Sequence, residues 1–526
     1  MNRLILPLIL PSLVAGAYAE LSLEPLGTAR NGDPASLFDA SAAEIVKFDS
    51  ATNQMYVVNG SADALDIFDV STPTAPSLVR SVDLSELGNP NSVDVFSRGH
   101  RTRVAVAVGA PSKADRGHVV FLNGEGDLLD TVEVGYLPDM LTFNENGTMV
   151  VVANEGEPTD DYAVDPEGSI SIIRIRGNRY HHREITFGGL TADDVEGVRI
   201  SGPEGTTIAQ DLEPEYVAIS GQHAFVTCQE NNAVIKINLT ERRIAAVLPL
   251  GTIDHSKLGH ALDVSDKDDA IRIANWPIQG LFMPDGIAAY RARDGRRTQT
   301  YFVTANEGDA REWGDYTDEA RIKSLNLDPS AFPLAETLQL DAHLGRLAAI
   351  TTEGDIDGDG DYDELYSFGT RSFSIFDENG TLVFDSGDLL ETYIATHYPE
   401  DFNGAHDESD SFDSRSDAKG PEPETVTLGE IDGHTYAFIA LERFSGIAVF
   451  DITNPHSVTM SGFGLNRDFS VSFDEDHLEN FGAAGDLGPE GLDFVSAKDS
   501  PTGQPLLIVA NEVSGTTTLY QISVTE

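Results

Sequence analysis

The sequence predicts an all-β protein, a single closed β-propeller of seven four-stranded blades. Three observations lead there. Short runs rich in Val, Ile, Phe and Tyr are broken by Gly, Asn, Asp and Pro, and few segments show helical periodicity. The runs recur as a unit: a Pro-Asp or Pro-Glu opening a strand, then a second strand ending in Ala-Asn-Glu or close to it, then a third strand. Each copy has room for four strands, and four antiparallel strands repeated around an axis make a propeller.

Five copies are clear. They run from Pro138 to Gly156, Pro214 to Asn232, Pro284 to Gly308, Pro423 to Gly446 and Pro489 to Gly515. Two weaker copies stand upstream, EIVKFDS with MYVVNGSA (Glu44 to Ala62) and NSVDVF with VAVAVGAP (Asn91 to Pro111), which brings the count to seven. Because those two are weak, six or eight blades are the alternatives. The last copy ends at LYQISV without a fourth strand, and LSLEPLGTA (Leu21 to Ala29) is expected to supply it and close the ring. Acidic insertions are expected near residues 309–366 and 388–420. Long loops in a compact domain are usually functional or disordered.

Composition bounds the function. Of 526 residues, 87 are Asp or Glu and 34 are Lys or Arg, a net charge of −53 at pH 7. A surface of that sign repels phosphate backbones and anionic lipid, so nucleic acid is excluded as an electrostatic partner. It suits divalent cations. Residues 1–19 read as a signal peptide: Arg3, an apolar run from Leu4 to Val14, then Ala17-Tyr18-Ala19. A buried N-terminal strand is the alternative. Residues 20–526 are then the mature propeller domain, secreted or periplasmic. No segment approaches the length of a membrane span. The lone Cys228 rules out an intrachain disulfide and is expected in the core. N-x-S/T sequons begin at Asn59, Asn146, Asn238 and Asn379.

Three constellations carry chemistry. In DIDGDGDYDE, Asp355, Asp357 and Asp359 occupy positions one, three and five of a calcium loop. Gly360 stands at the sharp turn, Asp361 at position seven and Asp363 at position nine; Tyr366 replaces the usual Glu at twelve. Carboxylates that dense repel one another unless a cation neutralises them. Calcium is the predicted ligand, and a solvated acidic turn the alternative.

The second constellation comes from the repeats. Asp139, Glu215, Asp285, Glu424 and Glu490 open first strands, and Glu155, Glu230, Glu307, Glu442 and Glu512 end second strands. Equivalent positions of a propeller form a ring at one end of its channel. From this ring Asp285, Glu490, Glu512, Glu155 and Glu442 are expected as ligands of calcium or a second divalent metal. The alternative is that each carboxylate caps backbone N–H groups of the next blade.

The third is NEGDAREW, Asn306 to Trp313, with DSRSDAKGPEPE, Asp413 to Glu424, as a related cluster. Metal beside arginine is what a phosphate ester requires: the metal polarises and activates water, and the guanidinium stabilises developing charge. Glu307, Asp309 and Arg311 are the expected catalytic residues of such a site. The alternative is that Arg311, Arg321 and Arg415 brace loops. No nucleophile elbow, zinc helix, P-loop or C-x-x-C occurs, and the histidines have no ligand-like spacing.

The stretches PDMLTFNENGTMVVVANEGEP, TANEGDAREW, DGDGDYDELYSFGTRSFSIFD, DSRSDAKGPEPE and GDLGPEGLDFV…ANEVSGT together resemble the choice-of-anchor I family, in order and over nearly the whole mature chain. Members of that family carry labels such as mesenchyme-specific cell surface glycoprotein and alkaline phosphatase-like. The resemblance implies a secreted or surface β-propeller, often with a C-terminal anchor. This sequence stops after its last blade, which leads to the expectation of a free protein. No catalytic residue transfers from the family. Two functions remain: a metal-dependent phosphoesterase acting on a small phosphate ester, or a non-catalytic extracellular binding or adhesion propeller ordered by calcium. A saccharide-active enzyme is a third, with only Trp276 and Trp313 to stack on sugar rings.

Overall fold

A computed structural model describes residues 20–99 and 101–525, so the expected signal peptide lies outside the described residues. The chain is all-β and of propeller type. Among the described residues seven four-stranded antiparallel sheets follow one another along the sequence. Their opening strands are Val46–Asp49, Asn89–Arg98, Pro138–Phe143, Val217–Ser220, Ile287–Asp294, Pro423–Ile431 and Pro489–Val495. In six sheets the strand order is the sequence order. In the last, Glu20–Ala29 pairs with Thr516–Thr525 as the fourth strand, as the sequence predicts.

Burial follows position in the sheet. Second strands such as Met149–Asn154 (MVVVAN) are buried at every residue, because both faces pack on neighbouring sheets. The fourth strand of the first sheet, Ser77–Asp83, is almost wholly exposed, while Thr459–Leu465 of the sixth is half-buried. The core is therefore a series of apolar seams between sheets. One seam stacks Phe302 on Phe376, ring centroids 5.3 Å apart, with Phe225 packed 5.2 Å from Phe302. Cys228 is free and buried in another seam.

Each opening strand packs on the opening strand of the next sheet, and Pro489–Val495 packs on Val46–Asp49. Between them lies a cavity of about 200 Å³ lined by residues of all seven, among them Lys47, Ser92, Thr142, Tyr216, Thr425 and Gly491.

The insertions are folded. The first forms the pairs Glu312–Trp313 with Tyr316–Thr317 and Glu319–Arg321 with Ala348–Ile350. It has its own apolar centre around Ile322, Leu344 and Leu365. The second carries the helix Leu389–His397. Arg371 fastens it, bonding to Glu391 at 2.8 Å and to the carbonyls of Ser416 and Ala418 at 2.8 and 2.9 Å.

Candidate metal centre

The repeat unit explains how carboxylates reach one end of the cavity. Proline cannot donate to a ladder, so a strand that opens on proline tends to bulge there. The register shifts between Pro138 and Leu141, between Pro423 and Val426 and between Pro489 and Gly491. Asp139 with Met140, Glu424 with Thr425, and Glu490 lie inside those bulges. The chain enters three of the openings through bulky residues at positive φ: Leu137 (42°), Met283 (43°) and Glu422 (52°). That backbone is strained for side chains of this size.

At the end of the second strand the Asn of Ala-Asn-Glu is structural. Asn306 Nδ2 donates to Thr370 Oγ1, Ser372 Oγ and Ser374 Oγ at 3.0, 3.2 and 2.8 Å. Asn154 does the same toward Ser169 and Ser171, and Asn511 toward Thr516. With the Asn held inward on the third strand, the following Glu falls at the mouth.

Two carboxylate trios result. Ligand oxygens of Asp285, Glu307 and Glu424 lie within 4.8 Å of one another, and so do those of Glu307, Glu422 and Glu442. Glu307 belongs to both. Its other contacts are Gln229 Nε2 at 3.0 Å and the Lys419 ammonium. Lys419 also stands 3.8 Å from Glu422 and 3.7 Å from the exposed Asp309. Arg443 and Arg415 bind Glu422 at 2.8 and 2.5 Å. His406 Nδ1 is 3.1 Å from Glu442, while Arg443 donates to its Nε2 at 2.5 Å.

The electrostatics divide the site. Burial, then mutual repulsion, pushes Asp285, Glu424, Glu442 and Glu490 well above the usual carboxylate range. The same causes lift Asp139 to about 7 and Glu44 to about 8. Burial also pulls on Glu422, but Lys419, Arg443 and Arg415 more than reverse it and hold that carboxyl low. Burial beside Arg443 lowers His406 to about 3, so it is neutral. Oε2 of Glu215, Glu230, Glu424 and Glu490 is buried with no hydrogen-bond partner. Glu215 with Glu230 and Asp285 with Glu424 form carboxyl pairs, and the hard oxygens grouped in the two trios are of the kind that a divalent cation takes.

Of the expected residues, Glu307 meets Asp285 in one trio and Glu442 in the other. Glu155, Glu490 and Glu512 lie among the mouth carboxylates and repel them, but join neither trio. Arg311 is placed differently from the phosphate-holding role. Its guanidinium is buried and fully engaged, with Nε on Ser201 Oγ at 3.1 Å, Nη1 on Glu213 at 2.7 Å and Nη2 on the Asp211 carbonyl at 2.7 Å. It braces the first insertion against the loop before Pro214, because Glu213 and Asp211 neutralise it there.

The calcium loop divides in two. Asp355, Asp357 and Asp359 form one exposed trio within 4.8 Å, while Asp361 and Asp363 join Asp328 in another. Asp355 accepts from the N–H groups of Gly358, Asp359 and Gly360 at 2.8, 3.1 and 3.1 Å, which fixes the turn.

Sequence reasoning missed Glu44, Glu422 and Asp328. Glu44 occupies the Pro-Glu position of the weak first copy, and Glu422 lies two residues before Glu424 in PEPE. Asp328 carries no signal of its own. It reaches the loop because Leu327 bridges to Tyr362.

Residues 44–455 match the choice-of-anchor I domain. The chain is 31% identical to Gigasin-3a of Magallana gigas over 197 residues, 35% of this chain and 67% of that one. It is 27% identical to the mesenchyme-specific cell surface glycoprotein of Strongylocentrotus purpuratus over 294 residues, 49% of this chain and 37% of that one. Among solved structures, the hydrazine synthase of Kuenenia stuttgartiensis aligns with a TM-score of 0.44 at 11% identity, covering 93% of this chain and 97% of that one.

Proposed function

The chain belongs to the choice-of-anchor I family, and from that premise we propose an extracellular, seven-bladed propeller, closed by its N-terminal strand, that binds calcium at the acidic mouth of its channel. The cyclic packing of opening strands supports the closed ring. The name of a relative, a cell surface glycoprotein, supports the extracellular placement. No helix among the described residues is long and apolar enough to cross a membrane.

The observation that carries the reading is the pair of carboxylate trios sharing Glu307. Calcium takes six to eight oxygens in flexible geometry, which suits ligands from several loops. Asp285, Glu307 and Glu424 would hold one ion. Glu307, Glu422 and Glu442 would hold a second once the Lys419 ammonium swings aside. The DxDxDG loop, with Asp328, offers a further site that orders the first insertion.

Binding is the function favoured over phosphoester hydrolysis. A bound divalent ion supplies Lewis-acid polarisation, but the chain must also hold the ester. Arg311 is committed to Glu213, and Arg443 and Arg415 to Glu422, which leaves Lys419 as the nearest cation beside Glu307 and Asp309.

Calorimetric titration of calcium into chelator-treated protein tests the proposal. Glu307→Gln should weaken mouth binding at least about tenfold, because both trios lose a charge. Unchanged binding in that variant removes the mouth site. The same samples are assayed on a generic phosphomonoester at alkaline pH. Turnover that vanishes with chelator, returns with calcium and fails in Glu307→Gln would replace binding by catalysis.

A further inference from the structure

The arginines that the mouth does not use are concentrated at the other ends of the strands. The connections from first to second strand and from third to fourth strand turn at the end opposite the Ala-Asn-Glu segments. Two of these turns are free of acid: VFSRGHRTR in the second sheet and SIIRIRGNRYHHR in the third. The chain as a whole has 87 acidic and 34 basic residues, so these runs reverse its overall balance locally.

The two turns meet. Arg103 of the second sheet donates through Nη2 to the carbonyl of Gly177 in the third-sheet turn at 3.1 Å, and its guanidinium lies over the Tyr180 ring at 5.6 Å. Beside the turns is a cleft of about 780 Å³ whose lining includes Arg98, Arg101, Arg103, Asn146, Thr148 and Asn178, and reaches Thr52 and Gln54 of the first sheet. Among the described residues no carboxylate comes within 4.0 Å of Arg98, Arg101 or Arg103, nor of Arg176 and Arg179 flanking the second turn. Arg98, Arg101, Arg176 and Arg179 are exposed. Arg103 is half-buried, and its Nε is buried without a hydrogen-bond partner. One lining residue is acidic, Glu125, whose carboxylate accepts from the Asn123 amide at 3.1 Å and keeps its charge; Asp49 stands behind the wall, accepting from Thr102.

An unpaired arginine in so acidic a protein is the group that its own field would most readily neutralise. Leaving several unpaired around one cleft, next to amide and hydroxyl groups, gives a surface complementary to a ligand that is anionic and rich in hydroxyls. Guanidinium groups bind sulfate and carboxylate oxygens in bidentate fashion, and amide and hydroxyl side chains meet sugar hydroxyls. The overall charge of the chain, −53, repels a nucleic-acid duplex and an anionic bilayer.

We infer that the cleft beside the turns of the second and third sheets, walled by Arg98, Arg101 and Arg103 and flanked by Arg176 and Arg179, is a binding site for an acidic oligosaccharide carrying sulfate or uronate groups. It is separate from the acidic mouth and needs no calcium.

The test uses the whole mature chain, made in a host that adds no N-glycans because Asn146 heads a sequon, with chelator present. Fluorescence anisotropy follows a labelled sulfated hexasaccharide, a polyuronate of the same length and a neutral hexasaccharide. Binding of either acidic sugar but not the neutral one is expected. The double variants Arg98→Glu/Arg101→Glu and Arg176→Glu/Arg179→Glu should each lose at least about tenfold in affinity, with melting temperature and calcium titration as in the parent. Full affinity in both double variants overturns the proposal. So does equal binding of the neutral sugar, of a single-stranded oligonucleotide or of phosphatidylserine vesicles. Sulfated and uronate arms tell the two anion sources apart.

Discussion

At the scale of single residues, burial decides between a structural and a functional charge. Arg311 makes an ion pair with Glu213 in which both side chains are almost fully buried. Removing one partner of such a pair leaves the other charge buried alone. Arg311→Met should therefore lower folding stability by about 3–5 kcal/mol in urea unfolding, while calcium titration of the folded variant stays near that of the parent. A loss of binding with no loss of stability would return Arg311 to the mouth. Glu44 gives the opposite case. Burial and the Glu512 charge raise it from 4.5 to about 8 in the folded chain. The folded state keeps that proton after the unfolded state has lost it, so its stabilising contribution is full below pH 4.5 and is lost as pH rises toward 8. Glu44→Gln, which cannot ionise, should flatten that decline and gain roughly 2–4 kcal/mol at pH 8 in chelator. Unfolding curves at pH 5 and pH 8 check it, and parallel curves for parent and variant would contradict the assignment.

Elements explain which parts of the site were visible in the sequence. The Pro-acid opening and the Ala-Asn-Glu ending recur because several sheets use the same local devices: a proline bulge in the third, sixth and seventh, and an inward Asn in the third, fifth and seventh. Periodic constraints leave periodic signals, so the sheet pattern, the N-terminal fourth strand and most mouth carboxylates could be read directly. The second trio could not, since its Glu422 is not a repeat position and the Lys419 beside it comes from an insertion that breaks the period. Lys419 and Glu422 arrive through the second insertion, and Asp328 through a bridge between Leu327 and Tyr362. The strained entries at Leu137, Met283 and Glu422 leave no trace either, because nothing in those residue types asks for positive φ. Arg311 misleads because charges adjacent in NEGDAREW point to different neighbours. The split of the DxDxDG loop yields its own prediction. Asp328→Asn should weaken terbium luminescence at this loop about as much as Asp359→Asn does, with Tyr362 and Tyr366 as sensitisers. Chelation should also speed proteolytic cutting between Asp355 and Asp363. An unaffected Asp328→Asn variant would show that a single trio holds the ion.

For the whole molecule the governing quantity is the net charge of −53. Two kinds of repulsion follow. One is diffuse, between exposed carboxylates on outer strands and turns, and falls with ionic strength because the screening length is about 10 Å at 0.1 M salt. The other is local, among buried mouth carboxylates a few ångströms apart, where mobile ions screen poorly and the remedy is protonation or a bound cation. Potassium chloride acts on the first and calcium on both. In chelator at pH 8, raising KCl from about 20 mM to about 0.5 M should lift the melting temperature by roughly 3 °C or more. Calcium at about 1 mM, which hardly changes ionic strength, should raise it further through linkage to the folded state. That increment should shrink at pH 5, where Asp139 and Glu44, at about 7 and about 8, hold their protons and the mouth carries less charge. Thermal scans over the two salts and two pH values separate the contributions. A calcium increment no larger than that of KCl at equal ionic strength, or one that does not depend on pH, would mean that calcium only screens and that the mouth is held together by its own protons and by Lys419.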